Sequence, residues 1–355
     1  MTEVTRSAAR RSATLEDVAR VAGVSRATVS RVINGVRNVA PEIQETVRQA
    51  VEATGYVPNS AARSLVTRRA GAVALVVSGT GARDSDGDAA RTQIFTDPFF
   101  GRVVSGVLSG LRPQGLHPVL MLADDADARE QVLAYLRQGN ADGALVVSTH
   151  AEDPLPAQLA RNGLPVVLFG RPQPRVPVSH VDLANQDGAA LAADHLFARG
   201  CRRIAVIAGP SAVPAARDRL DGFREAMDRH GLPDVPHAEA DFTQAGGERA
   251  MTRLLADHPD LDGVFAANDL MAQGALAILR EQGRRVPDDV AVIGFDDSSA
   301  ATAGRPLLTT IRQPVEAMAE EMTRILLDGL DRPDRLDRRA VSVLFEPSLV
   351  VRQSA

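Results

Sequence analysis

The sequence predicts a mixed fold class: an all-α helix-turn-helix head at the N-terminus, then an α/β body of two lobes with parallel sheets. Two short amphipathic helices around a glycine turn occupy residues 14–35, as in a helix-turn-helix. From residue 72 onward, apolar strand-like runs alternate with helical stretches in two successive sets, which indicates two parallel sheets covered on both faces. Residues 1–70 carry 11 Arg against 6 acidic residues, whereas the remainder carries 29 against 39. A basic head before an acidic body is typical of a polyanion-binding module joined to a different one.

Composition excludes several classes of protein. The 355 residues, 45% of them apolar, suffice for two or three domains. All 40 basic residues are Arg, so P-loop lysines, pyridoxal Schiff bases and lysine nucleophiles are excluded. Cys201 is the only cysteine, which excludes an internal disulfide and predicts a cytoplasmic location. No apolar run is long enough for a membrane span. Residues 1–13 lack the apolar segment of a secretory signal, and we interpret them as a disordered arm.

No metal or cofactor site is predicted. The acidic run at residues 84–88 resembles a calcium loop, but Phe95 stands where such a loop needs its bidentate glutamate. The seven histidines are scattered, with no pair at ligand spacing on one predicted helix. We therefore interpret residues 78–96 as a solvated insertion.

The first predicted helix begins after Thr14, an N-cap residue that can form a capping box with Asp17. Its apolar face is formed by residues at helical spacing, namely Leu15, Val18, Ala19 and Ala22. Gly23 can adopt the left-handed conformation that ends a helix. Ser25 can cap the helix that follows.

The second predicted helix has an apolar face and a small or basic face. Its inward residues are Val29, Val32 and Ile33, and its outward residues are Arg26, Ala27, Ser30 and Arg31. The Asn-Gly pair at 34–35 ends it. In a helix-turn-helix this second helix enters the DNA major groove. Periodicity alone is equally consistent with an ordinary small helical domain that does not bind DNA.

A third helix is predicted at residues 41–53. Pro41 suits its first position, whereas Ala40 before it is a weak cap. The apolar stripe that closes the head consists of Ile43, Val47 and Val51.

Residues 17–35 contain D-V-A-x-x-A-G-V-S-x-x-T-V-S-R-V-x-N-G, and residues 55–65 contain G-Y-x-P-N-x-x-A-R-S-L. These patterns resemble the N-terminal domain and hinge of the lactose-repressor (LacI/GalR) family of bacterial regulators. The resemblance implies operator binding by a homodimer, with Leu65 of each hinge helix inserted as an apolar wedge in the minor groove. A plain linker is the alternative for the hinge. Pattern and resemblance together predict these DNA-contacting residues: Thr14, Ser25, Arg26, Ala27, Thr28, Ser30, Arg31, Asn34, Arg37, Tyr56, Asn59, Ala62 and Leu65.

The body divides into two sets of strand-like runs. The first set lies at 72–77, 118–122, 143–148 and 165–169, and the second at 180–183, 203–208, 238–242, 263–267 and 290–295. Predicted helices lie at 98–111, 126–137, 156–161, 186–199, 215–230, 244–256 and 270–282. A ligand is expected between the lobes, at the carboxyl ends of the strands.

N-D-L-M-A at residues 268–272 and G-F-D-D at 294–297 resemble the family's periplasmic-binding-protein-like (type I) regulatory domain. The resemblance implies three crossings between the lobes, near residues 178, 312 and 340. The predicted domains are a disordered arm at 1–13, a helix-turn-helix domain at 14–58, a hinge helix and linker at 59–70, and an effector-binding and dimerisation domain at 71–355. Within the last, lobe 1 covers about 71–178 and 313–340, and lobe 2 about 179–312 and 341–355.

The resemblance also implies an effector site for a sugar, nucleoside or similar small molecule. Its residues would be Phe99, Phe100, Arg219, Phe242, Asn268, Asp296 and Gln313. An arginine fork beside carboxylate and amide groups can bind vicinal hydroxyls, and phenylalanines can stack on an apolar ring face. As alternatives, Phe99 and Phe242 could belong to the core, Asn268 could only cap a helix, and Asp296 could cap a turn.

Together these features predict a transcriptional regulator, a repressor by resemblance, rather than an enzyme. The sequence has no G-x-S-x-G and no H-E-x-x-H motif. A solute-binding protein would share the two lobes but not the head. No heptad tail follows residue 351, so a homodimer is favoured over a tetramer.

Overall fold

The structure, a computed structural model, describes residues 13–33, 39–56, 69–79, 96–148, 150–172, 176–331 and 340–355. The chain divides into two compact units, residues 1–71 and residues 72–355. Within the described ranges, no helix is both long and apolar enough to cross a membrane.

The described part of the first unit contains helices α1 (Leu15–Ala22), α2 (Arg26–Ile33) and α3 (Pro41–Thr54). Their inner faces meet in a small core around Val18, Val29 and Val47, all fully buried. Gly23 ends α1 with φ 67°, a conformation that costs glycine little because it has no Cβ. The three predicted helices are therefore present.

The predicted apolar stripe of α3 is wrong at one position. Ile43 is 37% exposed, whereas Ala50 is buried beside Val47. Ile43 lies on the same side of the helix as Val47, four residues further on, but burial of this side begins only at Val47, and the start of α3 stays exposed.

The second unit alternates strands and helices along the chain. Its strands are β1 (Ala72–Ser78), β2 (His117–Ala123), β3 (Ala144–Ser148), β4 (Val166–Phe169), β5 (Ser179–Leu183), β6 (Ile204–Ala208), β7 (His237–Glu239), β8 (Gly263–Ala266), β9 (Ala291–Asp296), β10 (Thr309–Arg312), β11 (Ser342–Phe345) and β12 (Ser348–Val350). Its helices are α4 (Pro98–Leu111), α5 (Ala126–Arg137), α6 (Leu155–Arg161), α7 (Asn185–Ala198), α8 (Pro214–Arg229), α9 (Gln244–Asp257), α10 (Asp269–Glu281), α11 (Ala300–Ala303) and α12 (Val315–Asp331).

Two six-stranded sheets organise the two lobes. The first sheet has the order β11-β5-β4-β3-β1-β2, with every pairing parallel. The second has the order β12-β10-β9-β8-β6-β7, and only β12 runs antiparallel to its neighbour. Strands such as β1, β6 and β9 are buried almost throughout because helices cover both faces of a parallel sheet.

The predicted lobe boundaries need correction at two crossings. β5 was predicted to lie in the second lobe. It pairs instead with β4 and β11 in the first sheet. The chain therefore crosses after residue 183 rather than near 178, and again after residue 345 rather than near 340. The crossing near residue 312 agrees, since β10 ends there and α12 packs on β3, β4 and β5.

The predicted strand at 238–242 is also shorter in the structure. β7 ends at Glu239, and Phe242 adopts a positive φ of 64°, which is incompatible with a strand. This turn directs the chain into α9.

Candidate functional site

The described head residues form the scaffold of a helix-turn-helix. The Thr14 hydroxyl accepts from the Asp17 backbone N–H at 3.3 Å, and the Asp17 side chain accepts from the Thr14 N–H at 3.0 Å. Ser25 caps α2 by accepting from the Thr28 N–H at 3.1 Å. These predicted DNA-contacting residues thus also fix the start of each helix.

The outer face of α2 carries its small and basic residues. Arg26, Ala27 and Arg31 are exposed, and Ser30 is half-buried. Arg26 lies 3.1 Å from Glu16 of α1, measured from Nη1 to Oε1, and both side chains are mostly solvated. Surface pairs of this kind contribute little energy, so Arg26 can leave Glu16 for DNA at small cost.

Tyr56 packs against the head core from the end of α3 and is half-buried. The other predicted contacts, Asn34, Arg37, Asn59, Ala62 and Leu65, lie outside the described residues, as does the acidic run at 84–88. Their roles stay predictions.

A cavity of about 380 Å³ opens between the two lobes at the carboxyl ends of the strands. Its lining includes all seven residues predicted for the effector site: Phe99, Phe100, Arg219, Phe242, Asn268, Asp296 and Gln313. Binding sites in two-lobed α/β proteins occur at this edge. The geometry brings the predicted residues together, and effector binding by them stays a prediction.

Arg219 forms the polar floor of the cavity. Its Nε donates to Asn185 Oδ1 at 2.9 Å, and its Nη2 donates to Gln313 Oε1 at 3.1 Å. Nη1 donates to the Ala267 carbonyl at 2.6 Å and to Asp296 Oδ1 at 3.4 Å. These bonds allow a guanidinium that is only 6% exposed to keep its charge in the interior.

Close helix packing and an aromatic plate hold Arg219 in place. A Cβ on Gly222, one turn further along α8, would lie 2.4 Å from the Gln186 carbonyl oxygen of α7. Only glycine allows the two helices to approach this closely, and the approach brings Arg219 to Asn185. Behind the guanidinium, the Phe295 ring lies 3.6 Å from Cζ, a cation–π contact.

Asp296 ends β9 beside Arg219, in a strained conformation with φ 103°. Burial raises the pKa of its carboxyl to about 7, although the Arg219 guanidinium lowers it. From the opposite side, Arg102 donates to the backbone carbonyls of Asp296 and Gln313, each at 2.9 Å. Two floor residues are therefore held by one arginine from α4.

Asn268 connects a helix cap to the cavity. Its Oδ1 accepts from the Met271 N–H at 2.8 Å, and its Nδ2 donates to the Phe242 carbonyl at 2.9 Å. Asn268 therefore caps α10, the role given above as the alternative to effector binding. It also fixes the strained turn at Phe242. Next to it, burial and the charge of Asp296 raise the pKa of Asp269 to about 8.

Aromatic rings form the apolar wall. Phe99 contacts Phe100 and Phe169 edge to face, with ring centroids 5.2 and 5.3 Å apart. Asp97 caps α4 by accepting from the Phe99 N–H at 2.9 Å, and burial raises the pKa of its carboxyl. Phe99 and Phe100 therefore serve both the cavity wall and the core against which they pack.

Sequence reasoning missed several polar residues of the cavity. Asn185 and Asp97 lie at the starts of α7 and α4, and helix-start patterns would have identified them only as caps. Across the mouth, Arg171 after β4 pairs with Asp218 of α8 at 2.6 Å, from Nη2 to Oδ2, and lies 3.9 Å from Asp182 of β5. This pair joins the two lobes, and no local pattern reveals it. Within the described ranges, no group of three or more potential metal ligands occurs.

Comparison with known proteins gives consistent results for both units. Residues 14–59 match the family described as bacterial regulatory proteins, lacI family, and residues 193–355 match the periplasmic binding protein-like domain. The HTH-type transcriptional regulator CelR of Thermobifida fusca is 43% identical over 349 residues, which cover 97% of this chain and 99% of that protein. The ribose operon repressor of Halalkalibacterium halodurans is 32% identical over 321 residues, 90% of this chain and 91% of that one.

Solved structures of related proteins indicate the same family as the sequence matches. A CelR–cellobiose complex superposes with a TM-score of 0.73 at 41% identity, covering 97% of this chain and all of that one. The lac repressor dimer bound to operator and the anti-inducer ONPF gives a TM-score of 0.82 at 25% identity, covering 97% and 99%. With a matching head, a matching body and full-length relatives, the chain belongs to the LacI family of bacterial regulatory proteins and is a DNA-binding transcriptional regulator rather than an enzyme.

Proposed function

We propose that the chain is a homodimeric repressor that binds a pseudo-palindromic operator, and that a sugar bound in the cavity between its lobes controls this binding. The observation that carries the proposal is the floor of the cavity, where the buried Arg219 meets Asp296 and Gln313 beneath a wall of phenylalanines.

A sugar suits both surfaces of this cavity. Its hydroxyls both donate and accept hydrogen bonds, so they can pair with carboxylate, amide and guanidinium groups at once. Its apolar ring face can stack on Phe99, Phe100 or Phe242. A volume of about 380 Å³ falls within the range of small-molecule sites. The relative CelR is described in complex with cellobiose, which makes cellobiose the first compound to test.

On DNA, α2 would lie in the major groove. Arg26 and Ala27 open the helix and would meet base edges, with arginine suited to guanine. Thr28, Ser30 and Arg31 would contact phosphates or support the helix. One such head covers half an operator, so two copies are needed for a pseudo-palindrome, and the related lac repressor is described as a dimer on its operator. DNA binding in turn supports the predicted cytoplasmic location.

The test is binding of the full-length protein to the DNA upstream of its own coding sequence, measured by fluorescence anisotropy at several salt concentrations. We expect binding that competes poorly with unrelated DNA and weakens steeply with salt. Titration with cellobiose, ribose and a nucleoside should then change operator affinity for one sugar and not for the nucleoside. Equal affinity for unrelated DNA, or a response to the nucleoside alone, would refute the proposal.

A further inference from the structure

We propose that the cavity selects uncharged sugars and rejects their phosphorylated or carboxylated forms, because its wall carries an excess of carboxylates and its buried guanidinium is already engaged. This inference rests on the proposed function and narrows the class of effector.

The lining of the cavity carries more negative than positive side chains. Six of the lining residues are aspartates: Asp97, Asp153, Asp182, Asp218, Asp241 and Asp296. Two are arginines, Arg171 and Arg219, and His150 adds at most one further positive charge. Asp241 is paired with Arg249, at 2.8 Å from Oδ2 to Nη2. Even with Asp97 and Asp296 protonated, the other three carboxylates exceed the two guanidiniums by one negative charge. An anionic ligand would enter a field of its own sign, which costs free energy wherever water is excluded.

Arg219, the cation at the floor, is already engaged by protein groups. Four of its five N–H groups have acceptors among the described residues, and Phe295 covers one face of the guanidinium. The bidentate geometry that arginine offers to phosphate or carboxylate is therefore occupied by protein groups. A phosphate could reach it only by displacing Asn185, Asp296 or Gln313 from a buried network, leaving those groups unpaired.

Arg171, the cation at the mouth, lies beside two carboxylates. It pairs with Asp218 at 2.6 Å and lies 3.9 Å from Asp182. This cluster of two carboxylates and one guanidinium is net negative. Desolvation raises the pKa of both carboxyls, although the charge of Arg171 lowers it.

Two further carboxyl groups of the lining are held by the fold. Asp153 accepts from the Ser148 hydroxyl at 2.8 Å and from the Leu155 N–H at 3.0 Å, and Asp97 caps α4. These charges cannot turn away when a ligand enters. These charges do not weaken the binding of a neutral polyol, because carboxylate oxygens accept hydrogen bonds from its hydroxyls.

Selection of uncharged sugars also constrains which reactions can supply the effector. A sugar that reaches this cavity without a phosphate is supplied by glycoside hydrolysis or by uptake without chemical change. A phosphotransfer reaction would yield a ligand of the excluded class. The regulator would then respond to a sugar before its first phosphorylation.

The experiment compares matched sugars by isothermal titration calorimetry with the full-length protein. The probes are cellobiose with cellobiose 6-phosphate and cellobionate, and ribose with ribose 5-phosphate. For whichever neutral sugar binds, we expect the anionic counterpart to bind about tenfold more weakly, from one excess charge at roughly 8 Å in a partly solvated site.

The double variant Asp182→Asn with Asp218→Asn removes two negative charges and frees Arg171, so the excess of carboxylates is abolished and the ratio should fall to about one or below. The control variant Asp228→Asn with Asp257→Asn makes the same change of charge at exposed positions of α8 and α9, and its ratio should match that of the wild type.

Each outcome separates the two proposals. A phosphorylated sugar that binds as tightly as the neutral one overturns charge selection and leaves sugar control standing. An unchanged ratio in the Asp182/Asp218 double variant overturns the role given to those carboxylates. If no sugar binds or alters operator affinity, sugar control itself is refuted, and charge selection with it.

Discussion

Replacing Arg102 by Met should weaken effector binding, although Arg102 is not among the residues that line the cavity. Its guanidinium donates to the carbonyls of Asp296 and Gln313 at 2.9 Å and pairs with both carboxylate oxygens of Glu316 at 2.7 and 2.8 Å. The side chain spans from α4 of the first lobe to the ends of β9 and β10 in the second. It therefore holds the backbone of two floor residues from outside the cavity lining.

The magnitude follows from the kinds of bond lost. Hydrogen bonds from a charged donor contribute about 1.5–3 kcal/mol each. The pair with Glu316 adds about 1 kcal/mol at most, because Glu316 is 48% exposed, and Met keeps the packing of the stem. We expect the free energy of unfolding to fall by about 3 kcal/mol. Residues in one network couple by about 0.5–3 kcal/mol, and a mid-range value of about 1.4 kcal/mol corresponds to tenfold weaker effector binding.

The assay is calorimetric titration of the full-length variant with the sugar that the wild type binds, beside urea unfolding. Arg112→Met, the same change at an exposed site just after α4, is the matched control and should alter neither quantity. Glu316→Gln keeps the bonds to the two carbonyls and should change affinity less than about twofold, since an exposed pair contributes little. An Arg102→Met protein that is destabilised yet binds the sugar with wild-type affinity would refute the reasoning.

Three further substitutions test other parts of the chain. Arg26→Ala should relax discrimination at one base pair of each half-site; binding to single-base operator variants measures this, and an equal loss on all sequences would indicate a phosphate contact only. Thr14→Ala removes the capping box of α1 and should cost the head about 1 kcal/mol, whereas Thr14→Ser should not, as thermal unfolding by circular dichroism can show. Asp269→Asn should flatten the pH dependence of stability. Because the folded pKa of Asp269 is about 8 and the unfolded pKa is near 4, the folded state holds an extra proton between them. The wild type should therefore lose up to about 1.4 kcal/mol per pH unit from pH 5 to 7 through Asp269, and the variant only the part due to the other buried carboxyls, Asp296 first among them. Parallel slopes in urea titrations at pH 5, 6 and 7 would contradict this assignment.

The head was predictable in detail because its signals are local. Thr14 with Asp17, Gly23 and Ser25 act within one or two turns of the chain, and each has the predicted role in the structure. Ile43 shows the limit of such reasoning. Its spacing fits the apolar stripe, but how far along α3 that stripe is covered depends on where α1 and α2 contact the helix, and the sequence of α3 alone does not reveal this.

The cavity was predictable only in part. Its seven predicted residues followed from resemblance to a family rather than from periodicity. Asn185, Arg171 and Asp218 escaped because their partners lie 34 to 47 positions away along the chain, and only the approach of two helices or two lobes brings them together. The close approach of Gly222 to Gln186 is indicated in the sequence only by the glycine itself, which does not identify the partner.

The lobes show a third limit. β5 is short and buries only Val181 and Leu183 fully, a pattern that suits a strand of either sheet, so nothing local indicates which sheet it joins. α12 had a usable signal that was overlooked, since Val315, Met318, Ala319 and Met322 are spaced for one helical face and are all buried.

The late crossing that brings β11 and α12 to the first sheet also has a consequence for biosynthesis. The head is encoded in one stretch and emerges first, but the first lobe lacks its outer strand until residue 345 has been made. At about 5–20 residues per second, translation from β5 to β11 takes roughly 8–30 s. Throughout that time the faces of β3, β4 and β5 that α12 covers are without their helix. We therefore expect the nascent chain to require chaperone protection of its first sheet long after its DNA-reading head is complete.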